Sequence, residues 1–296
     1  MVDQESAFTP NQKYELRKEV GASGQKTRVG SFKENMNIVS FGGGTNSTAM
    51  IIGMWQKGIP IDLILFADTG AERPETYEYI NVFNNWLESK KMPLISIVRN
   101  VDRNGNIYTL EEECKKSGTL PSIVYGFKKC SLKHKVAPQD KFCNNYRPCK
   151  DIWELGEKVN KYIGYDAGEE RRKENAFAID LQDKKYTKVY ALIDWGWYRE
   201  DCIKVIQDAG LPLPGKSSCF FCPSMKKQEI KDLRKNHPEL FDRAVALEKN
   251  AAPNLLTVKG LGRNWSWESY IKAEESQISF CQFYEENDMP CGCYDG

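Results

Sequence analysis

Histidine is nearly missing from this chain: there are two in 296 residues, His134 and His237. A metal site would therefore have to draw on other ligands. Long apolar runs are missing too. None reaches the roughly 18 residues needed to cross a bilayer, so no membrane partner is expected. The start, Met1-Val-Asp-Gln-Glu-Ser6, lacks the basic region and apolar core of a secretion signal, and a cytoplasmic location is expected. Charge of one sign is not in excess, because 42 basic and 41 acidic residues leave a net +1. A dedicated nucleic-acid binder is usually more basic. The sequence contains no internal repeat and no low-complexity tract.

Cysteine, by contrast, is plentiful, with ten residues. In a cytosolic chain these are expected to be thiols or metal ligands rather than disulfides. Apolar residues make up 41%, enough for a core. Residues 1–35 are polar and read as a short helix and a flexible linker ending near Gly30.

From Asn37 the chain alternates strands and helices. Ile38–Phe41 is a short apolar strand; Gly42, Gly43 and Gly44 follow, and Asn46, Ser47 and Thr48 open a helix. Glycines let the backbone approach a ligand closely. Free N–H groups at a helix start, with the helix dipole, favour anions. This turn is expected to cradle phosphate or sulfate, the alternative being an ordinary tight turn before a helix. No Gly-Lys-Ser/Thr ends it and its glycines are not spaced GxGxxG, so it is neither a Walker loop nor a dinucleotide fingerprint.

A second strand, Asp62–Asp68, leads into Asp68-Thr69-Gly70 and then Pro74-Glu-Thr-Tyr77. Pro74 suits the first turn of a helix, and Tyr77, Ile80, Val82, Phe83, Trp86 and Leu87 give it an apolar face. Leu94–Val98 reads as a third strand, Asn104-Gly105 as a hairpin turn, and Glu111–Lys116 as a polar helix carrying Cys114. Lys226–Lys235 and Pro238–Lys249 read as two helices near the end. The alternation predicts an α/β fold with a parallel, doubly wound sheet and its ligand at the strands' carboxyl ends. The expected divisions are a segment 1–35, a nucleotide-binding α/β domain 36–200 and a cysteine-rich helical region 201–296.

These motifs carry a resemblance. Gly42–Ser47 resembles the pyrophosphate loop, Ser-Gly-Gly-x-Asp-Ser, of the adenine-nucleotide α-hydrolase superfamily, with Asn46 in place of the aspartate. Asp68–Tyr77 resembles the matching segment of phosphoadenosine phosphosulfate (PAPS) reductases. Cys130-Ser-Leu-Lys133-His-Lys135-Val-Ala-Pro138 is similar to that family's Cys-Thr-x-x-x-Lys-x-x-Pro segment. Gly164, with Glu169 or Glu170 and Arg171 or Arg172, is similar to its Gly-Ile-Arg…Glu-Ser…Arg segment, with Tyr165 in place of the first arginine. Val189–Trp197 resembles its Pro-Leu-x-x-Trp segment.

The resemblance implies an adenine nucleotide, ATP or a relative, with Mg2+. The expected binding residues are Ser40, Gly42, Gly43, Gly44, Asn46, Ser47, Thr48, Asp68, Thr69, Gly70 and Gly164. Asp68, Lys135 and Arg171 are the expected catalytic residues. Cys219-Phe-Phe-Cys222-Pro223 puts two thiolates within reach of one metal. The resemblance adds Cys130 and Cys202, giving four ligands for a 4Fe–4S cluster or, alternatively, for Zn2+. Free thiols remain the third reading. Cys143 and Cys149 receive no role.

Three functions follow from the resemblance. In the first, the chain cleaves ATP between the α and β phosphates and adenylates a substrate for sulfur transfer or nucleic-acid modification, as relatives in nucleic-acid thiolation and DNA phosphorothioation do. In the second, it reduces PAPS or adenosine phosphosulfate. That reaction uses a Glu-Cys-Gly-x-His tail, of which only Cys291-Gly292 is present, beside Cys293. In the third, it is a nucleotide-responsive binding module with structural zinc. Partners consistent with these are a nucleic acid or a sulfur carrier, and a second copy of the chain in a homo-oligomer.

Overall fold

The computed structural model describes residues 36–275. The polar segment 1–35 and the tail with Cys281, Cys291 and Cys293 lie outside the described residues.

Five strands form one all-parallel sheet: β1 (Asn37–Phe41), β2 (Leu63–Asp68), β3 (Ile95–Arg99), β4 (Val159–Ile163) and β5 (Tyr186–Val189). Their order is β3-β2-β1-β4-β5, with Ile38 opposite Leu63 on one side and Lys161 on the other. The chain therefore winds outward from β1 in one direction and then returns to its other side. The reversal leaves a switch point between β1 and β4, where ligands of such sheets bind beyond the strand ends.

β1 and β2 are buried along their full lengths, and they are mostly apolar, as strands covered on both faces tend to be. Side-chain alternation sends Val39, Phe41, Ile64 and Phe66 into one cluster and Ile38, Leu63, Leu65 and Ala67 into another. The first face is covered by α1 (Thr45–Gln56) and α2 (Pro74–Ser89). Phe83 of α2 is fully buried and stacks on Phe41 and Trp86, with centroids 5.5 Å away in both cases. Truncating such a ring to alanine costs about 3–5 kcal/mol.

Between β3 and β4 run α3 (Leu110–Ser117), α4 (Lys129–Ser131), a π-helical stretch Leu132–Val136, α5 (Ala137–Asn145) and α6 (Arg147–Glu154). Thr109 and Glu112 form a reciprocal capping box that starts α3. α5 and α6 line the second face of the sheet, with Cys143, Cys149 and Ile152 in its cluster. After β4 come α7 (Glu170–Gln182), α8 (Ala191–Asp194) and α9 (Arg199–Asp208). α9 returns to the first face, where Cys202 and Ile206 join the cluster that holds α1.

The remaining helices, α10 (Lys227–Asn236), α11 (Pro238–Ala251) and α12 (Trp267–Glu275), build a separate core. Leu110, Cys114, Leu120 and Val124 join them there, so the helical layer draws on two distant stretches of chain. Beneath it, Glu248 of α11 is buried and accepts from the backbone N–H groups of Leu261, Trp267 and Glu268. No helix among the described residues is long and apolar enough to cross a membrane.

Candidate functional site

The glycine turn lies at the carboxyl end of β1, beside the switch point. Gly43 has φ +77°, the left-handed region that glycine occupies without strain. A Cβ there would also stand 3.0 Å from Thr76 Cγ2 and 3.3 Å from the Phe66 ring. Gly44 is the N-cap of α1. The turn fastens itself: Ser47 Oγ accepts from the Gly42 N–H at 3.2 Å and donates to the Gly44 carbonyl at 3.2 Å. Thr48 Oγ donates to the same carbonyl at 2.9 Å and is fully buried. Thr48 thus shapes the turn from behind.

Ser40 does not face the turn. Strand alternation points it to the opposite side of the sheet, where its hydroxyl donates to Gln139 Oε1 of α5 at 2.8 Å. Gly164, just beyond β4, is pressed against the start of α1. A Cβ on it would lie 2.9 Å from both the N and Cα of Ser47. Only glycine lets β4 end this close to the loop.

Beside the loop, Asn46 joins two carboxylates. Its Nδ2 donates to Asp166 Oδ2 at 2.9 Å and to Glu169 Oε2 at 3.1 Å, while its Oδ1 accepts from Arg199 at 2.9 Å. Glu169 also pairs with Arg172, whose guanidinium lies 4.0 Å from the centre of the Tyr165 ring. The sequence left Arg171 and Arg172 interchangeable and favoured Arg171; the fold exposes Arg171 and brings Arg172 to Glu169. Asp166 and Glu169, not Asp68, are the carboxylates next to the position where the resembling loop carries aspartate.

Asp68 is otherwise engaged. It is 4% exposed and receives three donors: the Gly70 N–H at 2.8 Å, the Tyr77 hydroxyl at 2.7 Å and Arg99 Nε at 2.8 Å. Burial, followed by the charge of Asp68, pushes the Tyr77 hydroxyl well above the usual tyrosine range. Asp68 holds the β2 exit in shape.

The segment before Cys219 lies over the glycine turn. Ser217 Oγ donates to the Gly42 carbonyl, and Ser217 Cβ would be 3.6 Å from a Cβ on Gly43. Next to it, Lys216 Nζ is 2.7 Å from Glu229 Oε2 and one-third exposed. The following stretch pairs with the β2 exit, since Glu72 and Cys219 form an antiparallel bridge and the Phe220 N–H donates to the Ala71 carbonyl at 2.8 Å. Thr69 Oγ is 3.3 Å from Cys219 Sγ.

Cys130, Cys219 and Cys222 line one small cavity of about 30 Å3, with Thr69, Lys135 and Ser217 also on its wall. Lys135 is buried there, 3.6 Å from Glu72 Oε1. Cys202, expected as a fourth ligand, is not with them. It lies on α9 inside the cluster that contains α1, and burial, then the neighbouring Asp166, pushes its thiol up to about 12. The apolar partner of α1 occupies this position, and no loop brings it to the cavity. The thiol beside Cys130 is Cys114, which shares the helical core with Cys219 and Cys222 and lines an adjoining groove with Cys130. Among the described residues, no three His, Cys, Asp or Glu side chains gather as a metal-holding group. The four predicted thiols thus do not converge: Cys130, Cys219 and Cys222 meet at the cavity, and Cys202 lies apart in the core under α1.

His134 is fully buried and 2.5 Å from Glu113, and burial holds it below the usual histidine range. Lys133 also pairs with Glu113, at 2.8 Å. Trp195 and Trp197 pack over Gly53 of α1 and serve the core.

The fold and site define an α/β protein with a parallel, doubly wound sheet and a glycine-rich turn at its switch point. A scan against protein-family models and a search of curated proteins find no match to the chain.

Proposed function

We propose that the chain binds ATP at the Gly42–Ser47 turn and cleaves it between the α and β phosphates, transferring the adenylyl group to an acceptor in sulfur-transfer chemistry. The observation that carries this reading is the joining of two features at one point: a glycine turn opening a twelve-residue helix, and Asn46 flanked by Asp166 and Glu169. The first accommodates a polyphosphate through backbone N–H groups. The second offers carboxylate oxygens of the kind that hold Mg2+.

In the reaction, an acceptor oxygen attacks the α phosphorus, the bond to the α–β bridging oxygen breaks, and its electron pair leaves with pyrophosphate. A bound Mg2+ would neutralise phosphate charge. The chain's own part is to position and to stabilise. Gly44 and the first N–H groups of α1 hold the phosphates; Arg199, Arg172 and Lys216 supply positive charge around them; Ser217 covers the turn and limits water. Asp68, through Arg99 and the Gly70 N–H, fixes the β2 exit on which Thr69 meets Cys219.

The test is product analysis with ATP, PAPS and adenosine phosphosulfate. Pyrophosphate released from ATP supports the proposal. Sulfite from a sulfonucleotide would replace it with the reductase reading, and binding without turnover would replace it with the binding-module reading.

A further inference from the structure

On the sheet face lined by α5 and α6, a second group of nucleophilic and charged side chains is buried, and the proposed nucleotide chemistry does not use it. Cys143 lies near the end of α5 and Cys149 in the first turn of α6, and both are fully buried in one cluster. Lys161 of β4 reaches the same place. Its side chain is 1% exposed, its nearest carboxylate oxygen is Asp140 Oδ1 at 3.5 Å, and its Nζ has no hydrogen-bond partner. Asp140 Oδ1 and the Tyr186 hydroxyl are likewise without a hydrogen-bond partner. Lys161 Nζ also lies 5.1 Å from the centre of the Tyr186 ring, and Tyr186 shares the cluster of Cys143 and Cys149, so three unsatisfied polar atoms are buried at one place, which is costly. A negative charge on the Cys143 sulfur would give the ammonium and the phenol a partner at once.

We propose that Cys143 and Cys149 are an oxidisable dithiol, with Cys143 the nucleophilic member and Lys161 its cationic neighbour. The electrostatics agree with the geometry. The Cys149 thiol itself donates to Met36 Sδ at 3.8 Å. The neighbouring Cys149, then Tyr186, with the charge of Lys161 adding to both, hold the Cys143 thiol down at about 7, while Cys149 is pushed far up by Cys143 and by burial. The pair thus has the unequal thiols that exchange and oxidation chemistry require.

With hydrogen peroxide as oxidant, the Cys143 thiolate attacks one peroxide oxygen. The O–O bond breaks, hydroxide leaves and takes up the thiol's former proton as water, and Cys143 becomes a sulfenic acid. The Cys149 sulfur then attacks the Cys143 sulfur, the S–O bond breaks, and a second water leaves carrying the Cys149 proton. The two sulfurs together lose two electrons, and the peroxide gains them. Access comes from the link between the helices: Asn144, Asn145, Arg147 and Pro148 are exposed, so opening this short link uncovers both sulfurs without disturbing a strand.

The test uses the full chain. Folded protein is treated with hydrogen peroxide, unfolded in an alkylating agent, digested and mapped by mass spectrometry. The expected product is a Cys143–Cys149 cross-link, two hydrogens lighter than the paired peptides and reversed by a dithiol reductant. Cys149→Ser should stop at a Cys143 sulfenic acid that a cyclic dione traps, whereas Cys143→Ser should leave Cys149 alkylatable. Lys161→Met should slow cross-linking about threefold, because lost thiolate is partly offset by higher intrinsic nucleophilicity. Cross-linking of Lys161→Met at the parental rate would overturn the role of the lysine. The parental map involves no substitution. Recovery of both cysteines as alkylated thiols, from folded protein in which peroxide has oxidised other cysteines, would overturn the proposal.

Discussion

Gly164→Ala is the smallest change that tests how the site is assembled. The added methyl carbon would sit 2.9 Å from the N and Cα of Ser47 and 3.2 Å from the carbonyl carbon of Asn46. All three are backbone atoms of the first turn of α1, so no side chain can swing aside. Either the end of β4 or the start of α1 must move by several tenths of an ångström. Overpacking of this kind costs about 1–3 kcal/mol, and in a chain of this size each kcal/mol lowers the melting temperature by roughly 2–4 °C. The expected loss is thus roughly 4–8 °C for the middle of that range. The same shift displaces Asn46 from Asp166 and Glu169, so ATP affinity should fall about tenfold or more, equivalent to about 1.4 kcal/mol. Thermal unfolding followed by circular dichroism and ATP titration by calorimetry measure the two effects. A Gly164→Ala protein with parental melting temperature and parental affinity would refute the argument that this contact sets the geometry of the loop.

Three further outcomes are expected. Gly44→Ala should leave the melting temperature nearly unchanged while weakening ATP binding, because its Cβ meets only the Ser217 side chain, at 3.6 Å from Oγ and 3.9 Å from Cβ; Gly43→Ala, at φ +77°, should destabilise by about 1 kcal/mol, and denaturant unfolding with ATP titration separates the two. Asp166→Asn and Glu169→Gln should each reduce Mg2+-dependent pyrophosphate release at least tenfold with stability largely kept, whereas Cys202→Ser should lower stability and leave any bound metal content at the parental level, as metal analysis would show. Glu248 gives a pH signature. Burial, against the pull of its backbone donors, pushes its carboxyl up to about 7, so the folded state binds a proton that the unfolded state has released between about pH 4.5 and 7. Its contribution is therefore full below pH 4.5 and is lost as pH rises to 7, by up to about 3 kcal/mol at 1.36 kcal/mol per pH unit. Denaturant unfolding across that range should show a steeper fall for the parent than for Glu248→Gln.

The strand-turn-helix pattern was legible because it is local. Val39 and Phe41, then Pro74 and the apolar spacing through Leu87, define β1 and α2 without tertiary help. Asn104-Gly105 likewise marks a turn that the Val101–Ile107 bridge closes. Residues brought together across the switch point were much harder to find. Asp166 comes from the β4 exit and Asn46 from α1, 120 positions apart, and nothing local in Tyr165-Asp166-Ala167 signals that meeting. Ser40 was misread because a strand residue beside a glycine turn still obeys alternation. Cys202 was misread because its chain position suggested proximity to Cys219, while helix α9 carries it to the far side of α1. The overlying Lys216-Ser217 was missed; its Gly215-Lys-Ser-Ser218 composition was the signal that could have found it.

The most direct measurement of the central claim is a crystal structure of the chain with Mg2+ and an ATP analogue carrying a methylene bridge between the α and β phosphates. The account predicts the triphosphate on the Gly44 N–H and the first turn of α1, with Asp166 or Glu169 on the metal and Ser217 displaced from Gly42 or bound to a phosphate oxygen. An analogue seated elsewhere, with Gly42–Ser47 and Ser217 unchanged, would contradict it.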